Sequence, residues 1–158
     1  GIEAVGAIIT AIGSTPSTIF TEQTLTDFNL IGNILEAGGS AIAAEGEEAL
    51  LNRVGEQIQA IGNVAAVAGI LNKNEQTSQL LGKQGDLLQL VGIGVTINTQ
   101  RKQTLLETIS NTGDIIQFIG TAIQVFVNTD ALEGVVMNAV GAWIEAVGAI
   151  ITALATDK

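Results

Sequence analysis

Three carboxylates stand directly after a glycine at matching points of the chain, Glu56, Asp86 and Asp114, and Asn33 takes the equivalent place. Carboxylates brought together from successive antiparallel helices are the donor set of a helical metal site. Such a site normally adds Glu-x-x-His, and the chain has no His. The bare carboxylates are therefore expected on a solvated face or rim, and no metal is expected. A second series is more regular: Glu36, Gln59, Gln89, Gln117 and Glu145. It reads as the polar flank of each helix, in preference to a hydrogen-bond ladder between helices that fixes their register.

The other candidates are weaker. Gly92-Ile93-Gly94 lacks the preceding strand and the third glycine of a phosphate loop, so it belongs to packing. Ser and Thr are frequent, but none stands at a usual spacing from an activating base, so no nucleophile is expected. Without Cys there is no thiolate site and no disulfide framework. Taken together, these features predict neither an enzyme nor a cofactor. Trp143, the lone Trp, suits a membrane interface or a partner contact as well as it suits capping a core.

The elements that carry these residues follow from an internal repeat. The segment Ile2 to Ala11 recurs unchanged as Ile144 to Ala153. A looser form appears at Gly32–Gly39, Gly55–Gly62, Gly85–Gly92 and Gly113–Gly120, and less strictly at Gly141–Gly148. Glycines lie seven residues apart within a unit, and the unit returns after 28 or 30 residues. Seven residues are two helical turns, so Gly32, Gly39, Gly55, Gly62, Gly85, Gly92, Gly113, Gly120, Gly141 and Gly148 form stripes on helices. With Gly at heptad position a, position d carries Leu35, Ile42, Ile58, Ala65, Leu88, Val95, Ile116, Ile123, Ile144 and Ile151. Small at a and bulky at d describes a packing seam. Helix-interior Gly costs about 1 kcal/mol against Ala, so close approach of helices has to offset it. Alternation of period two is not sustained anywhere, which disfavours strands.

These patterns predict one all-α domain over residues 1–158, an antiparallel up-and-down bundle or repeat array of five full helices and a half-length N-terminal one. The helices are expected near Ile2 to Ile12, Thr21 to Ala44, Glu47 to Leu71, Gln76 to Thr99, Lys102 to Val127 and Ala131 to Ala155. Position g adds Ile31, Val54, Ile61, Val91, Ile119, Val140 and Val147, so the apolar arc is wide and needs cover on more than one side.

Composition narrows the partners. With 16 acidic against 6 basic residues the formal charge is −10, and the only adjacent basic pair is Arg101-Lys102, so nucleic acid is excluded. The same charge disfavours anionic lipid. Gly1-Ile2-Glu3 lacks the basic start of a signal peptide. The longest uncharged stretch, Ala4 to Thr21, is interrupted at Gly13-Ser14-Thr15-Pro16, so no conventional transmembrane helix is expected there.

The pattern Gly-Asn/Asp-x-Ile/Leu-Gln-x-Ile-Gly, with Trp-Ile-Glu-Ala-Val-Gly-Ala-Ile-Ile at 143–151, resembles the glycine-rich "repetitive" proteins of bacillus-type Gram-positive bacteria. The resemblance covers nearly the whole chain. It implies the helical repeat and a bacterial origin, and it brings no activity or catalytic residue. The functional expectation is a structural scaffold, a homo-oligomer packed through glycine-lined and Ile-rich faces. Membrane activity and carriage of an apolar ligand are the alternatives.

Overall fold

The computed structural model describes residues 1–97 and 103–156. Six helices follow one another, and no strand occurs among the described residues. They are α1 (Ile2–Ser14), α2 (Glu22–Gly46), α3 (Leu50–Leu71), α4 (Glu75–Thr96), α5 (Leu105–Phe126) and α6 (Leu132–Thr156).

Polar residues at the starts explain several boundaries. Thr21 and Asn74 accept the Thr24 and Thr77 backbone N–H groups at the beginnings of α2 and α4. Thr104 and Glu107 satisfy each other's backbone N–H groups at the start of α5, a reciprocal box that uses two donors a helix leaves free. That box sets the start of α5 at Leu105, later than the expected Lys102, which lies outside the described residues. The expected extension of α4 to Thr99 fails at Ile97, whose backbone is extended; residues 98–102 are outside the described ones. Helix α3 begins at Leu50 rather than Glu47, because the Glu47 backbone is extended and its carbonyl accepts from the Arg53 guanidinium.

Each helix packs against two others and, among the described residues, against no more: α1 on α2, and so on to α6, with α6 returning to α1. The helices therefore close into a ring. Contact is closest inside three hairpins, α1–α2, α3–α4 and α5–α6, and looser at the seams between them. The α6–α1 seam that closes the ring is built from alanines: Ala4, Ala7 and Ala11 against Ala142, Ala146 and Ala149.

Candidate functional site: an acidic interior inside an aliphatic exterior

The arrangement around each helix follows from the 100° that separates successive residues. Measured from a seam glycine, the first and fourth following residues lie about 100° and 40° to one side, and the third and sixth about 60° and 120° to the other. The first side faces the ring's interior. It carries Glu56, Asp86 and Asp114 one residue after Gly, and Glu36, Gln59, Gln89, Gln117 and Glu145 four residues after. The latter five are all buried, Glu36 to 4% exposure. The second side faces outward. Ile31, Val54, Ile61, Val91, Ile119, Val140 and Val147 are all exposed, Ile61 by 59%.

This reverses the sequence expectation for the acidic residues. Glu56, Asp86 and Asp114 lie on no solvated outer face; they are partly buried and line internal cavities. The glycine seams turn the residue beside them toward the ring centre, a direction that one helix's pattern cannot reveal. The Gln/Glu series likewise is no outer flank, nor does it bond to itself as a ladder. Its hydrogen bonds run to polar residues elsewhere in the ring. Thr10 donates to Glu36 Oε1 at 2.6 Å, and Gln124 donates to Glu145 Oε2. Gln117 donates to Thr152 Oγ1 at 3.3 Å, and Thr152 in turn donates to Asp114 Oδ1 at 3.0 Å.

Six carboxylates fall into two tiers, one from each hairpin in each tier. Glu3, Glu56 and Asp114 line a cavity of about 520 Å³ at one end of the ring. Glu36, Asp86 and Glu145 line another of about 280 Å³ at the opposite end. Within a tier the charges repel: Glu56 with Glu3 and Asp114, Glu3 with Asp114, Glu36 with Glu145 and Asp86, and Glu145 with Asp86. Two positive groups act on them, Lys83 on Asp86 and the Gly1 amine on Glu3. No three Asp or Glu gather closely enough to hold one metal ion among the described residues.

The glycines sit between the two helices of each hairpin. A Cβ on Gly62 would lie 2.7 Å from the Gly85 carbonyl oxygen, and one on Gly85 2.6 Å from that of Gly62. Gly55 and Gly92, Gly113 and Gly148, and Gly120 and Gly141 face each other in the same way. Gly32 meets Thr10 and the Gly6 carbonyl, and Gly39 meets the Glu3 backbone. These glycines are thus taken up inside the chain and are not free to meet another copy. Gly94 faces the Phe118 ring, in keeping with packing. Trp143 lies at the outside of α6, 41% exposed, and its indole N–H donates to Thr15 Oγ1 at 2.9 Å.

Sequence reasoning did not single out Glu3. Its signal was present in the ten-residue duplication, which puts Glu3 in register with Glu145. Judged by length and mean hydropathy, α3 and α6 are both long and apolar enough to cross a membrane, despite Glu56 and Glu145 on their inner faces.

Over residues 1–153 the chain matches the family of unknown function DUF6944, and it belongs to that family. No curated protein and no solved structure matches it.

Proposed function

For this member of a family without an assigned activity, we propose a membrane-embedded helical barrel, with lipid against its outer belt and water in its acidic interior. One observation carries the reading: many large aliphatic side chains are exposed and, among the described residues, only Leu90 and Ile93 of them are buried, whereas the buried side chains are otherwise mainly Ala, Gln, Glu, Asn, Ser and Thr. In water, each exposed Ile or Leu forgoes about 1.5–3 kcal/mol of burial. Enclosing six carboxylates with only two positive groups acting on them among the described residues carries a further penalty. A hydrocarbon surround removes the first cost, and a wet interior reduces the second.

Dimensions agree with this. The five longer helices have 22 to 25 residues. At 1.5 Å per residue that is about 33–37 Å, enough for a hydrocarbon core of about 30 Å. Helix α1, with 13 residues, is half a span and is held by α2 and α6. Most remaining charges, Glu22, Glu45, Glu47, Glu48, Arg53, Lys73, Glu75, Glu107, Asp130 and Glu133, fall in end turns or connections. Glycine at heptad position a supports hairpin packing in lipid, where small residues let backbones approach and no hydrophobic effect drives helices together.

Liposome flotation followed by an alkaline carbonate wash tests the reading. Protein that floats and resists the wash supports it; protein that stays in buffer without detergent contradicts it. Self-assembly is the second reading, since copies could cover the same outward belt of Ile31, Ile61, Val91 and Ile119. It predicts a detergent-free particle of defined mass by light scattering. Carriage of an apolar ligand is a third reading, which the space beside the seam glycines does not support because the partner helix fills it.

A further inference from the structure

We propose that a groove on the outside of the ring, between α2 and α3, holds one zwitterionic phospholipid with a primary-amine headgroup, phosphatidylethanolamine; this rests on the membrane reading above. The groove has a volume of about 680 Å³. Its α2 wall is Ala41, Ala44 and Glu45, and its α3 wall begins with Arg53 and Gln57. Ala60 and Ile61 continue that second wall. Each set has the three- and four-residue spacing of a single helix stripe. Elsewhere the outer belt carries bulky residues such as Ile31, Val91 and Ile119. Here three alanines leave a hollow instead.

Polarity changes along the groove in the order a phospholipid requires. Glu45 is the next-to-last residue of α2 and Arg53 the fourth of α3, so both stand where these helices end. In the membrane reading that is the level of the headgroups. Gln57 lies one turn deeper, with an exposed amide at the level of the glycerol esters, whose carbonyls accept from it. Ile61 is about 12 Å beyond Arg53 at 1.5 Å per residue, and with Ala60 and Ala41 it offers an apolar bed for an acyl chain.

Charge selects the headgroup. The Arg53 guanidinium donates to the Glu47 carbonyl through Nε at 3.1 Å and Nη2 at 2.8 Å. That bond orients the cation without neutralising it, and Arg53 forms no ion pair with Glu45 or another carboxylate among the described residues. One groove therefore presents a fixed cation and a separate anion. A zwitterion complements both, with its phosphate on Arg53 and its ammonium on Glu45. Phosphatidylethanolamine donates hydrogen bonds from that ammonium. The methylated ammonium of phosphatidylcholine has no N–H to donate, and phosphatidylglycerol has no cation for Glu45.

The test reconstitutes the full chain in liposomes of these three lipids in equal parts, extracts it in mild detergent and weighs it by native mass spectrometry. Flotation of the same liposomes runs in parallel. The expected result is a single lipid adduct, with phosphatidylethanolamine retained about tenfold over either competitor, the scale of one charge-assisted hydrogen bond. Ala41→Trp fills the groove from an exposed position and should remove the adduct with flotation unchanged. Glu45→Gln should bring retention of phosphatidylethanolamine and phosphatidylglycerol together. Arg53→Gln should lower retention of every lipid, and Arg53→Lys should restore most of it. Protein that floats yet retains no lipid, retains the three equally, or keeps its preference in Glu45→Gln overturns the lipid site and leaves the membrane reading intact. A lipid-free dimer that Ala41→Trp dissociates gives the groove to a second copy and overturns it as well. Protein that does not float overturns both.

Discussion

Adding one methyl group at Gly62 should damage the protein, while adding one at Gly82 should improve it. A Cβ on Gly62 would sit 2.7 Å from the Gly85 carbonyl oxygen and 2.9 Å from the Gln89 backbone nitrogen. The first contact is about 0.7 Å short of ordinary van der Waals distance, and both partners are backbone, so α3 and α4 must separate. Overpacking of this kind costs about 1–3 kcal/mol, and the better helix propensity of Ala returns about 1 kcal/mol, for a net loss of up to about 2 kcal/mol. A Cβ on Gly82 meets nothing within 4 Å. Gly82→Ala should therefore gain about 1 kcal/mol, separating the two variants by roughly 1–3 kcal/mol. Gly62→Ala/Gly85→Ala should lose less than the two single losses added, because one methyl already parts the hairpin. Unfolding by sodium dodecyl sulfate from mixed micelles, followed by far-ultraviolet circular dichroism, measures the wild type and the four variants, Gly85→Ala included. Equal midpoints for Gly62→Ala and Gly82→Ala would refute the backbone-contact account of the seams.

Three further outcomes follow. Ile61→Asp places a charge on the outer belt midway along α3; it should reduce bilayer insertion by about 2.5–3.5 kcal/mol, read as a lower floating fraction, whereas a water-facing belt would leave that fraction unchanged or raise solubility. Thr10→Val removes the 2.6 Å hydrogen bond to Glu36 and leaves a buried carboxylate short of a donor, costing about 1–3 kcal/mol in the same unfolding assay; Thr10→Ser should restore most of it. Thr104→Ala abolishes the capping box of α5, with a loss of about 1 kcal/mol and faster amide exchange confined to the first turn, residues 105–108.

How much of this was legible in the sequence depends on the range of the signal. The helices, and the glycines as points of contact, are local: seven-residue spacing puts Gly55 and Gly62 on one stripe whatever surrounds them. Boundaries were legible at Asn74, and missed both at α5, where the Thr104–Glu107 box lies past the expected Lys102, and at α3, where the bond from Arg53 to the Glu47 carbonyl decides the start. The direction of the polar stripe was not legible. A helix with Ile61 on one side and Gln59 on the other fits a soluble bundle with the aliphatic side inward, and the usual expectation chose that orientation for Glu56, Asp86 and Asp114. Only the closure of six helices into a ring shows that the side beside the glycines points inward. Glu3 and Glu36 come together with Asp86, Asp114 and Glu145 from parts of the chain over a hundred residues apart, and no spacing rule connects them.

Trp143 offers the most direct test of the membrane claim, because it is the only Trp in the chain. It lies near the middle of α6, about 17 Å from the Leu132 end at 1.5 Å per residue, with part of its ring facing out. Its N–H is already bound to Thr15, whose hydroxyl donates in turn to the Ala11 carbonyl at 2.7 Å, so the indole can face hydrocarbon without an unsatisfied donor. Its fluorescence should be measured in liposomes whose acyl chains carry bromine at successive depths. The account predicts strong quenching by bromine deep in the chains and weak quenching by bromine near the headgroups. Emission indifferent to bromine at every depth would contradict it.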